Sequence, residues 1–299
     1  MTPAMGTVEL RPLTEADRTR ILEISSQIWD GNDWVPAALD EWLTDPSGDA
    51  VGAILDGCLA GFARRTWLAP GLAWFEGIRT DPAYRGRGVG RAITGYLIEN
   101  TRAAGASRIH LSTYIDNRAS IYIIESFGFE RVATFTYRER PSAAPPTPEV
   151  KVDPRLAPVP ADEAIAFIAD SPFLRLAGRR FPRGWRFFPF DHDPHEATAR
   201  LEYRLGCYEG ETLAALLCAR SRPGVSDRTV FNFLDGEPEP MKPILRHALH
   251  VYAGTEIAMM VPISDGRSAR IGPLLDECGF TTWSEGVPDV FVYELSLER

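Results

Sequence analysis

Between Arg85 and Arg91 the chain reads Arg-Gly-Arg-Gly-Val-Gly-Arg, inside the longer stretch Trp74 to Ala92, WFEGIRTDPAYRGRGVGRA. A strand-like segment runs through Asp-Pro into this glycine-rich loop, which then opens a helix-like segment. Gly86, Gly88 and Gly90 give the backbone conformations closed to other residues and let it approach a ligand without a Cβ in the way. The loop amides, with those of the helical turn starting at Val89, point at an anion beside a partial positive charge of roughly half an elementary unit. Arg85, Arg87 and Arg91 add full charges, and a pyrophosphate is the guest such a loop suits. It is not a dinucleotide fingerprint, because Ile93 stands where a third glycine of GxGxxG would fall. No Gly-Lys-Ser/Thr follows, which excludes a Walker loop. Elsewhere, Asp191 to Glu196, DHDPHE, gathers ligand-type residues, but Pro194 interrupts it and distant partners are missing, so no metal site is expected. His247 and His250 share a helix face and read as ordinary surface or interface residues. Cys58, Cys207, Cys218 and Cys278 show no CxxC spacing and read as reduced core residues.

The elements that must carry the loop follow from hydrophobic periodicity. Thr14 and Asp17 make a capping-box-like start, and Ile21, Ile24 and Ile28 recur at helical spacing, predicting a helix over Glu15 to Trp29. Pro36 to Leu43 reads as a second helix. Ala50 to Leu55 and Leu59 to Trp67 read as a hairpin, since Asp56-Gly57 supplies the positive φ of a two-residue turn. Ala73 to Arg79 continues the sheet; Val89, Ile93 and Leu97 mark a helix; Arg108 to Thr113 is a strand; Ala119 to Phe127 is a helix before Gly128. In the second half, Leu213 to Ala219, Thr229 to Leu234, Glu256 to Val261 and Asp289 to Leu295 read as strands. Pro243 to Tyr252 and the stripe Ile271, Leu274, Leu275 and Cys278 read as helices.

A chain of 299 residues, 44% apolar and 24% charged, is an ordinary globular protein long enough for two domains. No apolar run approaches the ~20 residues of a membrane span, and Met1 to Leu10 lacks a basic-then-apolar leader, so the expected compartment is the cytoplasm. The net charge of −9 opposes nucleic acid and anionic membrane as partners. Seven prolines between Pro141 and Pro160 forbid a continuous helix or central strand and mark a linker, giving domains 1–140 and 161–299 about residues 141–160. The halves echo one another: LTEADRTRIL with VPADEAIAFI, LDGCLAGFARR with YEGETLAALLCAR, SFGFERV with ECGFTTW, in the same order at an offset of about 145 to 155 residues, as a duplicated fold would show.

On these residues the sequence resembles the GCN5-related N-acetyltransferase (GNAT) family. The family's acetyl-CoA motif Q/R-x-x-G-x-G/A is matched by Arg85, Gly88 and Gly90, and its preceding strand E-x-L-x-V-x-P by Glu76, Ile78, Thr80 and Pro82. Its N-x-x-A-x(7)-G-F pattern is matched by Asn117, Ser120, Gly128 and Phe129, and the resemblance covers residues 7 to 138. It implies an α/β fold of two GNAT-like domains, each a mixed central sheet flanked by helices, and acetyl-CoA as acetyl donor without a metal. By resemblance, Arg85, Gly86, Arg87, Gly88, Val89, Gly90 and Arg91 hold the CoA pyrophosphate. The strand edge with Ile78, Arg79 and Thr80 pairs with pantetheine, and Asn117 meets the cofactor or a bound water.

Many members protonate the departing thiolate with a tyrosine four residues before Gly-Phe; here that position is Ile124. A thiol of pKa near ~8.5 leaves acceptably as thiolate, with water or Tyr122 as the acid; packing is the other reading of Tyr122. Glu76 is the candidate base, because an acceptor α-amine is mostly protonated at neutral pH; a structural hydrogen bond is its alternative. The acceptor, a small-molecule amine, is expected over Ile28 to Leu43, where Asp30 and Asp33 offer charge to an ammonium and Trp29 and Trp34 offer flat walls. This stretch, with WFEGIRTDP, is similar to histidine N-acetyltransferase-like proteins, which implies a free amino acid as acceptor.

In the second half the corresponding loop reads DGEPEPMKP, whose prolines donate no N–H and whose acids repel phosphate. That half is expected to be a degenerate copy, as in the plan of tandem acetyltransferases, serving to shape the acceptor site or to form a homodimer. Peptide N-termini or lysines as acceptors, and a non-catalytic CoA-binding role, are the competing readings.

Overall fold

The computed structural model describes residues 7–45, 49–145, 152–264, 267–268, 271–283 and 289–298. The chain divides into two compact units, residues 1–130 with 293–299, and residues 131–292. The division falls ahead of the proline-rich segment, of which residues 146–151 lie outside the described residues.

In the first unit the strands β1 (Glu9–Pro12), β2 (Asp49–Leu55), β3 (Cys58–Ala69) and β4 (Leu72–Thr80) form an antiparallel meander. Asp56 and Gly57 take φ of 54° and 77°, the two-residue turn that their sequence predicts. β5 (Arg108–Tyr114) adds in parallel to β4, reached through the crossover helix α3 (Val89–Ala103). Beside β5 runs the end of β16 (Val290–Ser296), from the far terminus of the chain. Tyr293 donates its hydroxyl to Glu125 at 2.7 Å, and the Leu297 amide reaches the Ser107 carbonyl at 2.8 Å. One sheet face carries α1 (Arg18–Ser25) and α2 (Val35–Thr44), whose Ile21, Ile24, Val35, Leu39 and Trp42 close over Phe62. The first helix ends at Ser25, short of the expected Trp29, because Trp29, Asp30 and Gly31 successively take φ of 47°, 54° and 85°. Such angles cannot continue a right-handed helix. α4 (Arg118–Ser126) follows β5.

The second unit opens on β6 (Glu130–Arg140), from Arg131 onward, and continues with β7 (Leu156–Pro158), α5 (Ala161–Ala169), α6 (Pro172–Leu176), the hairpin β8 (Arg180–Arg183) and β9 (Arg186–Pro189), and α7 (Pro194–Thr198). Then come β10 (Tyr203–Glu209), β11 (Thr212–Ala219), β12 (Arg228–Gly236), α8 (Pro238–Val251), β13 (Glu256–Ser264), the short β14 (Arg267–Ser268), α9 (Gly272–Glu277) and β15 (Thr281–Thr282). Its sheet runs β7, β10, β11, β12, β13, β6, with β12 and β13 parallel and the other neighbours antiparallel. α8 starts at Pro238, earlier than the expected Pro243, because proline is well placed in a first helical turn. The DHDPHE cluster is absorbed locally. Asp191 pairs with Arg179, Asp193 caps α7 through the Glu196 amide at 2.9 Å, and Glu196 lies 3.1 Å from Arg183. All four cysteines are free; Cys207 and Cys218 are buried, whereas Cys58 is exposed at the start of β3, contrary to its expected place in the core. No helix among the described residues is long and apolar enough to cross a membrane.

Candidate functional site

The site begins with an irregularity in β4. Phe62 lies opposite Arg79 and Arg64 opposite Glu76, so two residues of β3 span three of β4, and a bulge sits at Gly77 and Ile78. Gly77 has φ of 60°, and a Cβ there would stand 2.1 Å from the Trp42 ring. Only glycine permits this backbone so close to α2. The extra residue changes which side chains share a face. Residues 76 and 79 would point to opposite sides of a regular strand. Here both follow their β3 partners, Arg64 and Phe62, towards α1 and α2.

The other edge of β4 opens at the same level. Its parallel pairing with β5 covers Leu72, Ala73 and Trp74 against Arg108, Ile109 and His110, and stops there although both strands continue. The backbone of residues 76 to 80 therefore lies beyond the ladder with β5 and is paired on its other side with β3.

Glu76 is buried and accepts a 2.8 Å hydrogen bond from Thr66 Oγ1. Arg64, with no exposed surface, answers Glu41 of α2 at 3.1 Å and Asp45 at the C-cap of that helix. Arg79 turns out to be tied on the acceptor side: its Nη2 and Nε reach the two oxygens of Asp33 at 2.8 and 3.1 Å, and its guanidinium stacks 4.6 Å from the centre of the Trp29 ring. Asp33 is thus engaged by Arg79, whereas Asp30 is exposed on the loop. Trp34 packs edge-on against Trp42, ring centres 5.7 Å apart.

From Thr80 the chain enters a short turn, Pro82–Tyr84, whose first amides are ordered by Asp81; its carboxylate accepts from the Ala83 amide at 2.7 Å and pairs with Arg20 of α1. Gly86 and Gly88 follow with φ of 74° and 83°, and a Cβ on either would meet open space. The loop is therefore an uncovered cradle leading into the α3 N-terminus. Gly90 has a different task from the expected one: it is helical, and a Cβ there would press on Ile123 of α4 at 3.3 Å and touch Thr80 at 3.5 Å, so it lets α3 approach α4 beside the end of β4. Gly61 does the same from β3, where a Cβ would meet Val89 at 2.7 Å and the Arg79 carbonyl at 2.6 Å; sequence reading missed it, although a glycine inside a strand signals close approach. The three arginines divide. Arg87 pairs with Asp56 at 2.6 Å, Arg91 donates to Ser126 at 2.8 Å, and Arg85 is exposed with no side-chain partner among the described residues. The bare loop, free Arg85 and parted strand edges together fit a ligand with a pyrophosphate head and an extended amide tail.

On α4, Asn117 is the N-cap, accepting from the Ser120 amide at 3.4 Å. Tyr122, the candidate acid, is 73% exposed on the same helix. Ile124 is buried in the core. In the second unit β12 ends at Gly236 and α8 begins at Pro238, leaving only Glu237 where the first unit places Asp81 to Gly88. DGEPEP is the end of a strand and the start of a helix, so that unit has no such loop.

A family model, described as the acetyltransferase (GNAT) family, matches residues 16–129. Over 136 residues the chain is 35% identical to the N-alpha-acetyltransferase RimI of Mycobacterium tuberculosis, covering 44% of this chain and 84% of that protein. It is 40% identical over 124 residues to an uncharacterised protein of Mycobacterium leprae, 40% of this chain but only 34% of the relative, about a third of its length. A GCN5-related N-acetyltransferase structure from Sphaerobacter thermophilus superposes with a TM-score of 0.62 at 14% identity, over 100% of this chain and 98% of that one, which shows a shared fold. The chain belongs to the GNAT family of acetyltransferases.

Proposed function

We propose that the first unit transfers the acetyl group of acetyl-CoA to a primary amine of a small molecule by direct attack. The observation that carries this reading is the bulge at Gly77, which sets a buried carboxylate, Glu76, on the face of α1 and α2 while the same strand segment opens its edge beside the glycine loop. Acetyl-CoA would supply the activated thioester, its pyrophosphate held by Arg85 and the amides from Gly86 to Gly90. An α-amine with its usual pKa of about 7.7 to 8.0 arrives protonated at neutral pH, and Glu76 takes that proton, directly or through one water, so that the nitrogen lone pair can attack. Thr66 holds one carboxylate oxygen of Glu76 at 2.8 Å. As the tetrahedral adduct collapses the C–S bond breaks, the thiolate leaves without Tyr122, as its ordinary pKa near ~8.5 permits, and the second proton shed by the nitrogen goes to that thiolate or to water.

The second unit is proposed as a degenerate copy of the first. The reading is supported by its parallel strand pair with a helix after the first strand, and by the missing loop. A peptide α-amine is the second reading for the acceptor, favoured by the 35% identity to RimI. The test is thiol release from acetyl-CoA with a panel of free amino acids, aminoglycosides and a short peptide, with mass spectrometry of the products. Acetylated small amines support the proposal; acetylated peptide alone favours the second reading.

A further inference from the structure

Trp29, Asp30 and Gly31 hold three successive positive φ angles, and the first two belong to residues that pay for that conformation. Arg79 binds Asp33, whose side chain is fully buried, through two hydrogen bonds, and its guanidinium lies 4.6 Å under the Trp29 ring. The loop is thus tied at both ends of the segment to the strand that carries Glu76. With one face of Trp29 taken by a cation, its opposite face is a poorer seat for a second one, since both charges draw on the same ring quadrupole. Yet 56% of Trp29 and 41% of Trp34 remain exposed, an apolar wall of one ring over Arg79 and one against Trp42, whose own ring lies against Gly77, the neighbour of Glu76.

We infer that Arg79 and Asp33 are positioning residues that preform this wall, and that the wall selects primary amines with an apolar or aromatic substituent next to the amine. The inference rests on the acetyl-transfer reading given above. The ammonium goes to the Glu76 side and the substituent against Trp29 and Trp34.

The experiment compares phenylalaninamide, glycinamide and lysinamide as acceptors, by thiol release at saturating acetyl-CoA. The native protein should favour phenylalaninamide over lysinamide by about tenfold in kcat/KM, the range that one apolar group in a pocket provides. Trp29→Ala should collapse that ratio to within about twofold. Asp33→Asn should raise KM for phenylalaninamide by about tenfold with acetyl-CoA affinity by calorimetry unchanged; Arg79→Gln should raise the same KM by a similar factor, and Arg79→Lys should recover part of the loss. Turnover of all three amines with no preference, or a ratio that survives Trp29→Ala, overturns the inference while leaving acetyl transfer intact. Equal loss of acetyl-CoA binding in the Asp33 and Arg79 variants also overturns it, by making the pair merely structural. No turnover of any amine in the native protein removes the acetyl-transfer reading itself, and the inference with it.

Discussion

Glu76 has a polar partner on one oxygen, a bulge beneath it and an arginine opposite, and each of these is a reason for its place on the strand. Replacement by Gln keeps size and the Thr66 hydrogen bond but removes basicity, so turnover should fall by ~10² or more with acetyl-CoA affinity retained. An unchanged pH–rate profile would assign the base elsewhere. Asp17 is a carboxylate of the opposite kind, with a purely structural office. It accepts from the Thr14 amide at 2.9 Å and from Arg11 at 2.7 and 2.8 Å. The Arg11 guanidinium, ahead of the Thr14 amide, holds its carboxyl below the usual range despite the opposing effect of burial. A depressed folded-state pKa gives stability that is present above the ordinary value near ~3.9 and is lost as pH falls through the folded one. Asp17→Asn should therefore cost about 1 kcal/mol near neutrality, and its melting temperature should decline less than that of the native protein below about pH 5. Parallel declines would deny the ion pair its role. Both carboxylates were legible in the sequence, Glu76 by its place in the strand motif and Asp17 by its spacing from Thr14. The partners of Asp33 were not, because Arg79 lies 46 positions away and only the folded register brings them together.

At the level of elements, the loop and its helix were readable because glycine, arginine and a strand-to-helix switch leave local marks. The bulge was not: Gly77 reads like any strand glycine until Trp42 of α2 is seen against it. Gly77→Ala must either displace that ring or straighten the strand, at a cost of about 1 to 3 kcal/mol, and straightening would turn Glu76 and Arg79 to opposite faces. The expected outcome is a lowered melting temperature with a disproportionate loss of turnover. A stable variant with full activity would show that the bulge is not needed. Gly88→Pro is a sharper change, since proline fixes φ near −65° where the helix cap holds 83°. Calorimetry should find acetyl-CoA binding largely lost. The segment DGEPEPMKP, expected as a loop, is the end of a strand and the start of a helix, because prolines in a first helical turn look, in sequence, like a helix breaker.

Across the whole molecule, the proline-rich stretch suggested two consecutive domains, yet the first compact unit includes residues 293–299. Strand order at this range leaves no mark in local composition, so the return of the C-terminus was invisible. It has a mechanical consequence. A chain ending near Arg140 lacks the strand beside β5, the Tyr293 hydrogen bond to Glu125 and the Glu294 carboxylate 3.6 Å from buried His110. Such a chain should be poorly soluble, and removal of residues 290–299 alone should lower the melting temperature of the first unit; a soluble, monomeric 1–140 chain with an unchanged melting temperature would contradict this. The central claim is that this unit moves acetyl from acetyl-CoA to an amine at one site built from the glycine loop and Glu76. The most direct measurement is mass spectrometry of the amine product beside thiol release, for the native protein, Glu76→Gln and Arg85→Glu. Matched thiol and acetylated amine are predicted for the native chain, transfer lost with binding kept in Glu76→Gln, and both weakened in Arg85→Glu. Tight acetyl-CoA binding with no acetylated amine, or transfer indifferent to both substitutions, would contradict it.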